Sequence, residues 1–169
     1  YCLRFSTACG CSDRLRLDLV LNDFVASGIK YGEISILSDG NPLRPLIDVK
    51  DMSKAIIWAL KYKDMNLNLQ NPKNIICINI GSNEWNFKVI DLARKVKEQL
   101  PKTEITINEN ASPDKRSYRV NFDLFKSLGG EFYPKTDINT TINELIEQIK
   151  VIDFTKSNFR DSNFIRLNH

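Results

Sequence analysis

Residues 75–80, IICINI, constrain this chain more than any other stretch. The run is almost wholly apolar and too short for a buried helix, and Gly81-Ser82-Asn83-Glu84 ends it. A strand with no polar alternation must be covered on both faces, which is the condition of a strand in a parallel sheet flanked by helices. The residues that follow supply such a cover. Val89, Ile90, Ala93, Val96 and Leu100 recur at helical spacing, with Asn86 as the expected cap and Pro101 as the stop. The glycine permits the turn from strand to helix. A buried strand leading into an amphipathic helix predicts an α/β fold.

The rest of the chain repeats the pattern. Residues 2–8 read as a buried strand closed by Gly10. Residues 15–30 read mostly as helix, starting just after Asp18 as N-cap. Val20, Phe24 and Ser27 share one face, with Leu21, Val25 and Gly28 beside them. Residues 33–37, EISIL, read as a strand. Asp51 is the expected cap of a helix through Tyr62, with Met52, Ala55, Ile56, Ala59 and Leu60 as its apolar stripe and Trp58 off it. Residues 63–73 carry turn chemistry and no period, so a surface loop is expected. Residues 104–108 predict a short strand. Phe122, Phe125 and Leu128 predict a short helix closed by Gly129-Gly130. Thr141-Ile142-Asn143-Glu144 reads as a capping box opening a last helix with Ile142, Leu145, Ile146 and Ile149 on one side. In residues 153–169, Phe154, Phe159 and Phe164 recur every five residues, which fits neither helix nor strand. An irregular arm is expected there, so the chain divides at 1–150 and 151–169.

At 169 residues the length suits about one domain with a real core. A net charge of +3 is too small to argue for nucleic acid. No apolar run approaches the roughly 18 residues of a membrane span. Cys2, Cys9, Cys11 and Cys77 have neither disulfide-framework nor zinc-knuckle spacing, and His169 adds no ligand set. No metal site is expected, and reduced cysteines point to the cytoplasm. The chain opens on Tyr1 in what reads as a strand already under way, which is expected of a fragment.

Two stretches concentrate cations among turn residues. In residues 37–52, LSDGNPLRPLIDVKDM, Arg44 lies in a rigid loop between Pro42 and Pro45. In residues 113–121, PDKRSYRVN, three cations fall within five residues. On the residues alone, a solvated surface run is the commoner reading of each.

Five segments, taken in order, resemble extended short-chain dehydrogenase/reductases of the NAD-dependent epimerase/dehydratase family, which modify nucleotide sugars. They are Leu3-Arg4-Phe5-Ser6-Thr7-Ala8-Cys9-Gly10, the segment around Asp18-Leu19, residues 37–52 with their Val-x-Asp helix start, Asn79-Ile80-Gly81-Ser82, and Asp114-x-Arg116-x-Tyr118. The resemblance covers nearly the whole chain but only the C-terminal half of the family. It implies the substrate-binding part of a Rossmann-like fold with the last strands of its parallel sheet.

The resemblance also implies roles. Arg44 and Arg116 would grip the nucleotide diphosphate, with Tyr118 beside them. Thr7, Asp18, Leu19 and Leu37 would contact the nucleotide sugar, and Phe5 and Ser6 would face the nicotinamide of NAD or NADP. Thr7 is equally a β-branched strand residue, and Asp18 equally a helix cap. Cys9 and Cys11 stand where the family has Tyr and Pro, and Asn121 where it has Asp. No glycine fingerprint and no Tyr-x-x-x-Lys pair is present, so no catalytic residue is assigned and these residues alone are expected not to turn over. The intact enzyme would be a homodimer. Two other readings stay open: a non-catalytic sugar-nucleotide binding remnant, and a reductase of a non-nucleotide substrate.

Overall fold

The computed structural model describes residues 1–62, 75–108 and 117–152. Seven strands and five α-helices follow one another as β1 (Cys2–Phe5), β2 (Thr7–Cys9), α1 (Val20–Tyr31), β3 (Glu33–Ile36), β4 (Leu43–Asp48), α2 (Val49–Lys61), β5 (Cys77–Ile80), β6 (Asn86–Lys88), α3 (Val89–Gln99), β7 (Glu104–Ile107), α4 (Asp123–Gly129) and α5 (Ile138–Lys150). Short 3₁₀ turns at Asn83–Trp85 and Gly130–Phe132 complete the described elements.

Three parallel pairs carry the architecture, but the strand at residues 75–80 is not covered on both faces: Ile78 and Ile80 are buried, while Ile75 and Cys77 are exposed. β1 pairs with β5, β2 with β4, and β3 with β7, while β4 takes β6 antiparallel on its other side. The first strand predicted at residues 2–8 is two strands. β1 runs along β5 to Phe5, the Ser6 amide donates to the Ile80 carbonyl, and Thr7 then begins a new ladder on β4. The chain therefore changes neighbours at Ser6.

β4 separates two apolar cores by simple strand alternation. Leu46 faces a large cluster built from α1, α3 and α5, including Leu21, Val25, Leu92, Val96, Ile142 and Leu145. Ile47 faces a smaller one with Ala55, Trp58, Ile78, Ile80 and Phe125.

Several expected boundaries move. α1 starts at Val20, and its N-cap is Leu19 without a side-chain cap, because the Asp18 carboxylate is taken by Arg16 in a two-pronged ion pair. α2 is capped by Asp48, not Asp51; the Asp48 carboxylate accepts from the Lys50 amide at 2.8 Å. Asp51 sits in the first turn and is buried. α2 buries Ala55 and Trp58, packs Met52 and Ala59 against the same core, and leaves Ile56, Ile57 and Leu60 exposed, so the expected stripe holds at Met52, Ala55 and Ala59 and fails at Ile56 and Leu60. Trp58 is pulled inward by an edge-on contact with Phe125 and by its indole N–H donating to the Leu128 carbonyl. Asn86 does not cap α3; it belongs to β6, and Lys88 is the residue before the helix. α5 begins at Ile138 with Asp137 as cap, three residues before the predicted capping box, and Thr141 lies inside the helix. The expected loop at residues 63–73 and most of the expected arm lie outside the described residues.

Candidate functional site

Arg44 is on a strand, not in a loop. Its position in β4 comes from two ladders. Thr7 pairs with Leu46 on one side, and Pro45, Arg44 and Leu43 pair with Asn86, Phe87 and Lys88 on the other. Proline is tolerated there because β4 meets its two neighbours over different stretches, so the missing N–H removes little from either ladder. The register puts Arg44 two residues before the partner of Thr7. Its guanidinium donates to the Leu43 carbonyl at 2.9 Å, and the residue is half-buried.

A segment distant in sequence is tied to the same strand. The Leu43 amide donates to the Ser117 hydroxyl at 3.0 Å. Three residues on, Asn86 holds Val120 from both sides: its amide nitrogen donates to the Val120 carbonyl at 3.0 Å, and its oxygen accepts the Val120 N–H at 2.9 Å. Asn83 accepts the Phe122 N–H at 3.0 Å and donates to the Asp123 carboxylate at 2.7 Å. Asn79 donates to the Asn121 carbonyl at 3.2 Å. Three asparagines from β5, β6 and the turn between them thus stand in for a neighbouring strand. Phe122 is fully buried under this segment, while Ser117, Tyr118 and Arg119 stay on the surface. The segment containing Tyr118 and the strand containing Arg44 are one local structure. Arg116 lies outside the described residues, one position before this tie.

Ser6 lies where β1 and β5 end, and its hydroxyl is buried without a hydrogen-bond partner. Gly81 allows this close packing. A Cβ there would collide with the Ser6 hydroxyl and meet the Phe122 ring at 2.6 Å. The carboxyl ends of parallel strands, where the chain changes neighbours, are the usual ligand-binding crevice of open α/β sheets.

Behind these strands lies a buried polar hub. Asp48 accepts from the Thr141 hydroxyl at 2.6 Å as well as from the Lys50 amide. Gly10, at φ 100°, passes so close that a Cβ would come within 2.8 Å of the Asp48 carboxylate. Burial and the neighbouring Glu144 charge push the Cys11 thiol up to about 11. Burial and the Asp48 charge push Cys9 higher still. Both surroundings disfavour the thiolate, which is the nucleophilic form of cysteine.

The other predicted residues are placed as follows. Phe5 is half-buried at the end of β1, Asp18 and Leu19 precede α1, and Leu37 follows β3, largely exposed. The ladders and side-chain ties bring Thr7, Arg44 and Tyr118 into one region. Sequence reading assigned no site role to Asn83, Ser117 or Asp48, and it read Asn86 and Thr141 only as helix caps. The spaced asparagines after a buried strand were the available signal, because each can satisfy both a backbone N–H and a carbonyl.

The sequence model of the NAD dependent epimerase/dehydratase family matches residues 1–80. Among solved structures, TunA, an NAD-dependent NDP-hexosamine 5,6-dehydratase involved in tunicamycin biosynthesis, is 18% identical with a TM-score of 0.68, covering 89% of this chain and 45% of that one. MoeE5 in complex with UDP-glucose and NAD is 20% identical with a TM-score of 0.67, covering 88% and 46%. UDP-glucuronic acid 4-epimerase from Bacillus cereus, in complex with UDP-glucuronic acid and NAD, is 19% identical with a TM-score of 0.66, covering 88% and 44%. The chain therefore spans a little under half the length of the structures it matches. It has the mixed α/β, Rossmann-like fold of extended epimerases and dehydratases, and its first 80 residues match the NAD dependent epimerase/dehydratase family.

Proposed function

We propose that this chain is the C-terminal, nucleotide-sugar-binding part of an NAD-dependent epimerase or dehydratase, with Arg44 and the segment around Tyr118 gripping the diphosphate. The observation that carries this is the Leu43–Ser117 hydrogen bond, which ties the surface segment bearing Tyr118 to the strand bearing Arg44. A diphosphate needs donors that pair two oxygens at once, and a guanidinium has that planar fork. An exposed tyrosine adds a flat surface and a hydroxyl. Arg116 would join them from the adjoining residues. Thr7 pairs with Leu46, two residues beyond Arg44 on the same strand, and would face the sugar, with Asp18, Leu19 and Leu37 toward the rest of the nucleotide sugar.

The cofactor fits only at one edge. The unpartnered Ser6 hydroxyl at the end of β1 is a buried polar atom of the kind a bound group satisfies, and Phe5 precedes it. These two residues would line the nicotinamide side, and the cofactor, when bound, supplies the hydride acceptor. The glycine fingerprint and the Tyr-x-x-x-Lys pair are absent from these 169 residues, so they bind and orient without proton transfer of their own. The intact enzyme would be a cytoplasmic homodimer using NAD or NADP.

The test is calorimetric titration of UDP into the protein and into Arg44→Ala. Each charge-assisted hydrogen bond contributes about 1.5–3 kcal/mol, so the variant should bind roughly 10- to 150-fold more weakly. Arg44→Lys should recover only part, because an ammonium has no fork. Equal affinities for wild type and Arg44→Ala would mean that the arginine is a solvated surface residue.

A further inference from the structure

Asn86 occupies an unusual position between the two halves of the proposed site. Its backbone pairs with Pro45, next to Arg44, in the β4–β6 ladder. Its side chain pairs with Val120 through two hydrogen bonds at 2.9 and 3.0 Å, and its amide nitrogen also reaches the Asn83 carbonyl at 3.2 Å. One residue thus joins the strand of Arg44 by its main chain and the segment of Tyr118 by its side chain. Between the Asn86–Val120 tie and the Leu43–Ser117 tie lie only Tyr118 and Arg119, both exposed. Such a short span held at both ends has little freedom, whereas one held at a single end would sample many conformations.

We propose that Asn86 is a positioning residue, fixing Tyr118 and Arg119 on the Arg44 strand so that a diphosphate meets a preformed surface. The proposal rests on the diphosphate reading of the site. Asparagine suits the task because its side-chain amide carries a donor and an acceptor in one plane, like a peptide group, and so mimics a strand neighbour. Aspartate has no donor to offer the Val120 carbonyl, and alanine offers nothing. Part of the binding free energy would then go into ordering the segment, and affinity would fall although no ligand contact is removed.

Two measurements on Asn86→Ala, Ser117→Ala and a distant control, Trp58→Phe, separate positioning from general stability. The first is amide exchange without ligand. Leu43 is far from Asn86 in sequence, and its N–H is held by Ser117. Cutting the Val120 tie should speed Leu43 exchange by about tenfold or more, as local opening replaces a pinned segment. The second is calorimetric titration with UDP. Loss of two neutral hydrogen bonds that hold the segment should weaken binding by about tenfold in Asn86→Ala. Asn86→Asp, which retains an acceptor for the Val120 N–H, should fall between and serves if the alanine variant does not fold. Trp58→Phe removes a buried hydrogen bond elsewhere and should lower stability without changing UDP affinity. Unchanged Leu43 exchange in Asn86→Ala overturns the positioning role whatever UDP does. Faster exchange with unchanged UDP affinity overturns its link to the ligand. Failure of the wild type to bind UDP overturns the diphosphate reading itself, and the exchange result still judges the tie.

Discussion

Removing the Asp48 carboxylate should be among the most damaging polar substitutions in the described part of the chain. The side chain is 1% exposed and caps α2 by accepting the Lys50 N–H at 2.8 Å. It also accepts from Thr141, itself fully buried in α5, at 2.6 Å. Asp48→Ala therefore removes a helix cap, at a cost of about 1 kcal/mol. It also strands a buried hydroxyl, at about 1–3 kcal/mol. The sum is about 2–4 kcal/mol, read as the shift in the urea midpoint at constant slope. Asp48→Asn keeps one oxygen for the Lys50 N–H and turns an NH2 toward Thr141, whose hydroxyl can accept in turn, so it should cost less than alanine. Thr141→Val removes one end of the same hydrogen bond. A double-mutant cycle should give a coupling of about 0.5–3 kcal/mol between the two positions. An Asp48→Ala variant within about 0.5 kcal/mol of wild type, the size of an ordinary surface change, would refute the hub. Strict additivity of the two substitutions would do the same.

Gly81→Ala should destabilise by about 1–3 kcal/mol, the range for overpacking a close-packed site. The Ser6 hydroxyl could rotate away from the new methyl, but the buried Phe122 ring at 2.6 Å has nowhere to go; a thermal midpoint equal to wild type would count against the packing described. The Asp51 carboxyl carries a pH dependence. Burial alone would raise its pKa, but hydrogen bonds from Lys54 at 2.9 Å and the Thr136 amide at 3.0 Å outweigh this and hold it below the usual carboxylate range. A group depressed in the folded state adds stability above its unfolded pKa, about 3.9, and loses it as pH falls through the folded value. Asp51→Asn should therefore be less stable than wild type near neutrality and approach it as pH falls through the depressed folded value in chemical melts; a pH-independent gap would point to packing instead.

The alternation of short buried strands with amphipathic helices was legible in the chain. Coverage of both strand faces was not met, however: β3 alternates exposed and buried residues, and β5 leaves Cys77 exposed. The strands at Cys77–Ile80 and Glu33–Ile36 and the helices α1, α3 and α4 lie close to where local pattern puts them. Gly129-Gly130 closes α4, with Gly130 at φ 50°.

Local pattern failed wherever two nearby oxygens competed to cap one helix. Asp48 and Asp51 stand three residues apart, and both suit an N-cap. The choice went to Asp48 because β4 runs as far as its ladder with β2, a partner almost forty positions away in sequence. Asp137 and Thr141 compete in the same way, and Thr141 is withdrawn into the helix to meet Asp48. The inner face of α2 was likewise settled by α4, whose Phe125 and Leu128 draw Trp58 in and leave Ile56 and Leu60 outside. Arg44 was visible as a lone cation among turn residues, yet its strand exists only because two other strands flank it. The asparagines at 79, 83 and 86 read locally as strand, turn and cap residues. Only the folded chain turns them toward residues 120–123, because a side-chain amide reveals its partner only when a distant backbone is brought within reach. Periodicity is local and survives in a single sequence; pairing is not, and it was the pairing that set Thr7 beside Leu46 and the long-range tie that held Ser117 on Leu43.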